Sequence, residues 1–114
     1  MTKAEFNSVF LEAINRLRQL APKRTGHLAN NAIKGVWVNE THFKIYIDRN
    51  IIENVAPVLK DGSRGKPAHH YYPQTINDKP NYKTYGWIEK SAREIAQFIA
   101  NKIGGEIKWL IQNI

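Results

Sequence analysis

The chain has no cysteine, a single methionine and no long apolar run, and each absence removes a class of answers. Without a thiol there is no thiolate nucleophile, no disulfide staple and no cysteine-bearing zinc motif, and the redox compartment stays open. No window approaches the ~18 uninterrupted apolar residues that a membrane-crossing helix requires. The first residues, Met1-Thr2-Lys3-Ala4-Glu5, lack the apolar stretch of a signal peptide, so a soluble protein made in the cytosol is expected. Acidic residues are scarce as well: ten Asp and Glu stand against seventeen Lys and Arg, a net charge of +7. What is present is an ordinary globular mixture, 42% apolar and 24% charged over 114 residues, which fits one domain spanning 1–114 and excludes collagen, low complexity and disorder. No internal repeat is visible, so solenoids and propellers are excluded too.

The positive charge is unevenly placed. Arg16, Arg18, Lys23, Arg24 and Lys34 fall between residues 16 and 34, where no Asp or Glu occurs. A pI near 9.8 permits contact with nucleic acid or an acidic protein surface without demanding either. The simpler reading of such charges is a solvated face.

Thr2-Lys3-Ala4-Glu5 has the spacing of a capping box, in which hydroxyl and carboxylate reciprocally satisfy amide donors, and it starts a helix near residue 3. Phe6, Phe10, Ala13, Ile14, Leu17 and Leu20 recur at three- and four-residue steps and give that helix one apolar face. Pro22 stops it, because the residue before a proline is pushed out of helical geometry. Thr25 is placed to cap a brief second helical turn over residues 27–31, with Leu28 pointing inward. From Ile33 the period becomes two: Ile33, Gly35 and Trp37 alternate with Lys34, Val36 and Val38, and Phe43, Ile45 and Ile47 with Lys44, Tyr46 and Asp48. Asn39-Glu40-Thr41 joins the two strands as a hairpin, whose apolar face the first helix covers.

Residues 50–59 are ambiguous between a strand and a short helix broken by Pro57, and an extended or irregular segment is favoured. Residues 60–85 carry Gly62, Gly65, Pro67, Pro73 and Pro80 and no sustained apolar period, so a long extended loop is expected. A loop of this length inside a compact domain is uncommon and is usually functional or disordered. Helical spacing returns through Trp87, Ile88, Ala92, Ile95, Phe98 and Ile99, and Gly104-Gly105 ends that helix. Residues 106–114 fit a helix or a strand equally. The fold expected is therefore α+β: an antiparallel sheet covered by an N-terminal and a C-terminal amphipathic helix, with a long loop before the second helix.

Chemistry is thinly supported. His69 and His70 are adjacent, so in extended chain they point to opposite sides, and a metal site would need His27 or His42 as well. No metal and no cofactor is expected. A basic ribonuclease-type toxin would use His69 or His70 with Arg64 or Lys66 holding a phosphate. Gly62-Ser63-Arg64-Gly65-Lys66 lacks the spacing of a phosphate-cradling loop. The same loop could stack single-stranded nucleic acid on its rings or present Tyr and Arg to a protein partner, and protein contact is favoured. Arg64, Lys66, His69, His70, Tyr71, Tyr72 and Tyr82 are the candidate contact residues.

Leu20-Ala21-Pro22-Lys23-Arg24-Thr25-Gly26-His27-Leu28, with Ile33 following, resembles the small tail-completion and head-tail joining proteins of long-tailed bacteriophages, some described as minor capsid proteins. There an amphipathic helix runs into Ala-Pro, a variable charged pair, Thr-Gly and then Leu before the first strand. Val55-Ala56-Pro57-Val58-Leu59-Lys60-Asp61-Gly62-Ser63 is loosely similar to the family's Tyr-Ala-x-x-x-Glu-x-Gly-Thr segment, with Asp for Glu and Ser for Thr. The aromatic-led final helix, from Tyr85-Gly86-Trp87 to Lys102, is similar too. The resemblance covers residues 3–103 and implies a virion component at the neck, assembled in the host cytoplasm. Its copies would form a ring, sixfold, around the DNA channel, touching neighbouring neck and tail proteins and passing DNA, without catalysis and without a membrane. In such a ring residues 60–85 would grip a partner, and Lys23, Arg24 and Lys34 would face the channel or a neighbour. The alternative is a small basic nucleic-acid-binding domain.

Overall fold

The computed structural model describes residues 2–23, 26–39 and 42–103. Helix α1 (Lys3–Leu20) starts where Thr2 accepts a hydrogen bond from the Glu5 amide at 3.2 Å. Only half of the expected box forms: the Thr2 hydroxyl donates to the Glu5 carboxylate at 3.3 Å. The helix ends at Ala21, which is extended as the following Pro22 requires. Gly26, at φ +81°, occupies the left-handed region that admits glycine most easily, and a side-chain carbon there would press on the Asn30 amide at 2.8 Å. The turn expected over residues 27–31 is present as a π-helical segment, Leu28–Ala32, with Leu28 buried.

Strands β1 (Ile33–Asn39) and β2 (His42–Ile47) pair antiparallel, with Ile33 opposite Ile47, Gly35 opposite Ile45 and Trp37 opposite Phe43. That register places Ile33, Trp37, Phe43, Ile45 and Ile47 on the face that α1 covers. Phe10 stacks on Phe43 at 4.4 Å between centroids, and Trp37 meets both rings edge-on at 5.5 and 5.3 Å. The Trp37 indole donates to Asn7 Oδ1 at 3.1 Å, so its polar atom is satisfied while its ring packs.

Helix α4 (Trp87–Ile103) lays Ile88, Ile95 and Ile99 against the same core. It runs antiparallel to α1, because the Arg16 guanidinium sits 4.6 Å from the Phe98 ring centroid while Lys102 approaches Glu12, four residues earlier on α1, at 3.8 Å. The fold is α+β: a two-stranded antiparallel sheet with helices at the N-terminal and C-terminal ends.

Two expectations are corrected. Residues 49–54 are helical, α2 (Arg49–Asn54), because Asp48 caps it, accepting from the Asn50 and Ile51 amides at 3.0 and 3.4 Å. The stretch 60–85 is not extended throughout, since it contains α3 (Tyr72–Asp78). Pro73 is fully buried in the first turn of α3, where its missing N–H costs nothing. Among the described residues no helix is long and apolar enough to cross a membrane. The 106–114 segment and the hairpin connection at Glu40-Thr41 lie outside the described residues.

Candidate functional site

The stretch between α2 and α4 has two parts. Residues 57–65 form a tight finger, with Val58 bridged to Arg64, the Gly65 amide donating to Pro57 O at 2.7 Å and Leu59 N to Ser63 O at 2.8 Å. Gly62 N closes the turn on Leu59 O at 2.9 Å, and the Asp61 carboxylate accepts from both the amide and the hydroxyl of Ser63. Those bonds hold the Asp61 carboxyl below the usual range. The three-residue loop, a turn followed by glycine at positive φ, is a common hairpin solution. The second part, residues 71–86, is docked on α4. The Trp87 indole donates to Pro73 O at 3.1 Å, and Thr84 Oγ1 to Ile76 O at 2.8 Å. Asn77 Oδ1 accepts from the Ile88 amide at 2.8 Å, so a side chain of α3 caps α4.

The contact residues expected on this stretch behave unequally. Arg64 is exposed and donates to Ala56 O at 3.2 Å, and Lys66 is exposed. His69 is exposed at φ +59°, its amide donating to Glu53 O at 3.0 Å. His70 Nδ1–H donates to Ala68 O at 3.0 Å, and the ring meets Tyr72 edge-on at 6.1 Å. Tyr71 and Tyr72 are half-buried against the core, and burial pushes both phenols up. At Tyr71 the Arg49 guanidinium, 5.1 Å from the ring centroid, opposes that rise and Glu53 adds to it. Tyr82 is exposed, with the Lys79 ammonium 5.6 Å from its ring centroid. The exposed part of the expected surface is therefore Arg64, Lys66, His69, His70 and Tyr82, whereas Tyr71 and Tyr72 anchor it. Among the described residues no three His, Asp or Glu side chains stand close enough to hold a metal ion.

The basic stretch 16–34 is engaged within the chain. Arg16 lies over Phe98, Arg18 donates to Ile33 O at 2.9 Å, and Lys23 Nζ donates to Gln19 O at the end of α1. Lys34 pairs with Asp48 at 2.7 Å. The hydrogen bond between them holds the Lys34 ammonium above its ordinary value and the Asp48 carboxyl below. Arg24 lies outside the described residues.

Two features were not singled out from the sequence. The first is the outer face of the hairpin, where Val36 and Val38 are 45% and 61% exposed. The alternation that buries Ile33 and Trp37 turns these two valines outward, so an apolar residue on both faces of β1 was the available signal. The second is an open cleft of about 650 Å³ between the π-helical segment, α2, the finger and α3. Its buried lining includes His27, Leu28 and Ile52, while Leu59, Lys66, Thr75 and Tyr82 are exposed at its mouth. His27 is hydrogen-bonded there through both ring nitrogens: Nε2–H donates to Ile51 O at 2.8 Å, and Nδ1 accepts from the Asn31 amide at 3.0 Å. It ties the π-helical segment to α2 as a structural residue.

No family model matches the chain, and no curated protein or solved structure matches it either.

Proposed function

We propose that the chain is a non-enzymatic structural subunit of a bacteriophage virion, a head-tail joining or tail-completion protein of the neck. Its copies form a ring, sixfold, around the DNA channel, with neighbouring neck and tail proteins as partners and only non-specific contact with packaged DNA. The observation that carries the reading is the unfinished sheet. Among the described residues it has two strands, neither with a further strand beside it, and its outer face carries exposed Val36 and Val38. Two strands are marginal on their own, and open edges and apolar faces recruit further chain. A ring needs one surface of each copy to meet a different surface of the next. The outer hairpin face and the finger with its exposed Val58 and Leu59 are two such surfaces.

The resemblance around Ala21-Pro22 and Thr25-Gly26 supports the same reading. In the phage or prophage that encodes this chain, Val36→Lys combined with Val38→Glu is expected to leave filled heads and separate tails, counted by electron microscopy, at normal levels of the protein. Tailed particles at normal yield would overturn the proposal.

A further inference from the structure

Resting on the neck reading, we infer that the cleft receives a short segment of a neighbouring neck or tail protein, one whose large apolar side chains are flanked by Asp or Glu. The floor sets the apolar part. Leu28, Ile52, Val55 and Ile76 line a space of about 650 Å³, within the ~300–1,000 Å³ common for ligand sites. The rim sets the charge. Among the described residues no Asp or Glu lines the cleft, and Lys66 stands exposed at its mouth. Two more cations lie beside it. Arg64 donates to Ala56 O at 3.2 Å, between the lining residues Val55 and Pro57, and Lys79 sits 5.6 Å from the ring centroid of Tyr82, which also lines the cleft. The acids nearest in the chain are already engaged: Glu53 by Arg49, Asp61 by Ser63, and Asp78 by Gln74 and Asn77.

The rim is rich in donors as well as positive. Tyr72, Thr75 and Tyr82 line it, and their hydroxyls form no hydrogen bond among the described residues. Burial raises the Tyr72 phenol, so it keeps its proton and donates at neutral pH. A carboxylate accepts from such groups and gains from the ammonium beside them. Charge also selects the partner. A second copy would bring another net charge of +7 to a positive rim, and the chain's own residues 106–114 hold one Glu and one Lys, which cancel. An acidic neighbour of a different kind meets both the floor and the rim.

The test uses the purified full-length chain and two labelled probe peptides, acetyl-Glu-Leu-Trp-Leu-Glu-amide and acetyl-Lys-Leu-Trp-Leu-Lys-amide, read by fluorescence polarisation at low salt. The acidic peptide is expected to bind saturably and at least tenfold more tightly than the basic one. Lys66→Glu with Lys79→Glu should abolish that preference. Lys90→Glu with Arg93→Glu, the same change of charge at exposed positions on α4, should leave it standing. Thr75→Trp, at an exposed position of α3 that lines the cleft, should weaken binding at least tenfold. No saturable binding of the acidic peptide, equal binding of the two, or binding indifferent to Thr75→Trp overturns the inference. So does binding that appears only when the chain is cut after Ile103, because the cleft then belongs to the chain's own end. In the encoding phage, Lys66→Glu with Lys79→Glu should lower the yield of tailed particles at least tenfold, while rings of the purified variant persist in native mass spectrometry. Tailed particles at normal yield sink the neighbouring protein as occupant and leave the ring reading to its own test at Val36 and Val38.

Discussion

Gly35→Ala is expected to destabilise the domain by about 2–3 kcal/mol, and Gly35→Val by about 3 kcal/mol or more, out of a total of ~5–15 kcal/mol typical of such a chain. Gly35 sits mid-strand on the face that α1 covers, opposite Ile45. A side-chain carbon there would overlap Ile14 Cδ1 and stand 2.6 Å from Phe43 Cζ and 2.8 Å from Cε1. Ile14 and Phe43 are both buried, and Phe43 is stacked on Phe10 and braced by Trp37. The added carbon must therefore displace the Ile14 methyl and the Phe43 ring from the packing between α1 and the sheet. Chemical denaturation reads the loss as a lower midpoint at unchanged slope. Because Ile14 and the new carbon compete for one space, Gly35→Ala combined with Ile14→Ala should be less damaging than the sum of the two changes. Additive losses would show that the helix and the strand do not meet there.

Asn77→Ala should cost about 2–3 kcal/mol, from the loss of a helix cap and the buried amide it orphans. Asn77 is 3% exposed and serves three groups at once. Its Oδ1 receives the Ile88 amide, while its Nδ2 donates to Asp78 at 2.9 Å and to Glu89 at 3.3 Å. Its backbone carbonyl also receives the Gly86 amide at 2.9 Å. Hydrogen exchange should quicken at residues 86–90 before it quickens in the sheet. Asn77→Asp separates the two roles: the acceptor for Ile88 remains, but a carboxylate now faces Asp78 and Glu89. Its deficit should grow as pH rises through the carboxylate range and shrink in acid. Equal deficits at both ends of that range would remove Glu89 and Asp78 from the account.

These sites also show what the sequence carried and what it withheld. The apolar steps of α1 and α4 are long enough for periodicity to show, and the strand alternation places Trp37, Phe43, Ile45 and Ile47 on the covered face. Helices α2 and α3, at six and seven residues, are too short to display a period. Their local signals were present, Asp48 as a cap and Pro73 in a first turn, but were submerged among Gly, Pro and polar neighbours. What holds 71–86 in place is distant in sequence, Trp87 to Pro73 and Ile88 to Asn77, and no local window contains both partners. The contacts of the basic stretch are out of local sight for a similar reason. It contains no acid, yet Lys34 finds Asp48 fourteen residues on, Arg16 finds a ring on α4, and Arg18 and Lys23 find carbonyls. Charge counted along a chain does not say which group each charge will meet.

The cleft was invisible in the sequence because four separate elements line it. The outward valines were written in the strand alternation but carry meaning only once the sheet is seen to have two strands among the described residues.

The central claim is that this fold is a unit built to meet copies of itself, and native mass spectrometry of the purified full-length chain tests it most directly. The account predicts a closed assembly of one copy number, six subunits, that gives way to monomer on Val36→Lys with Val38→Glu. A chain that stays monomeric at every concentration, or an assembly indifferent to those two substitutions, would contradict it.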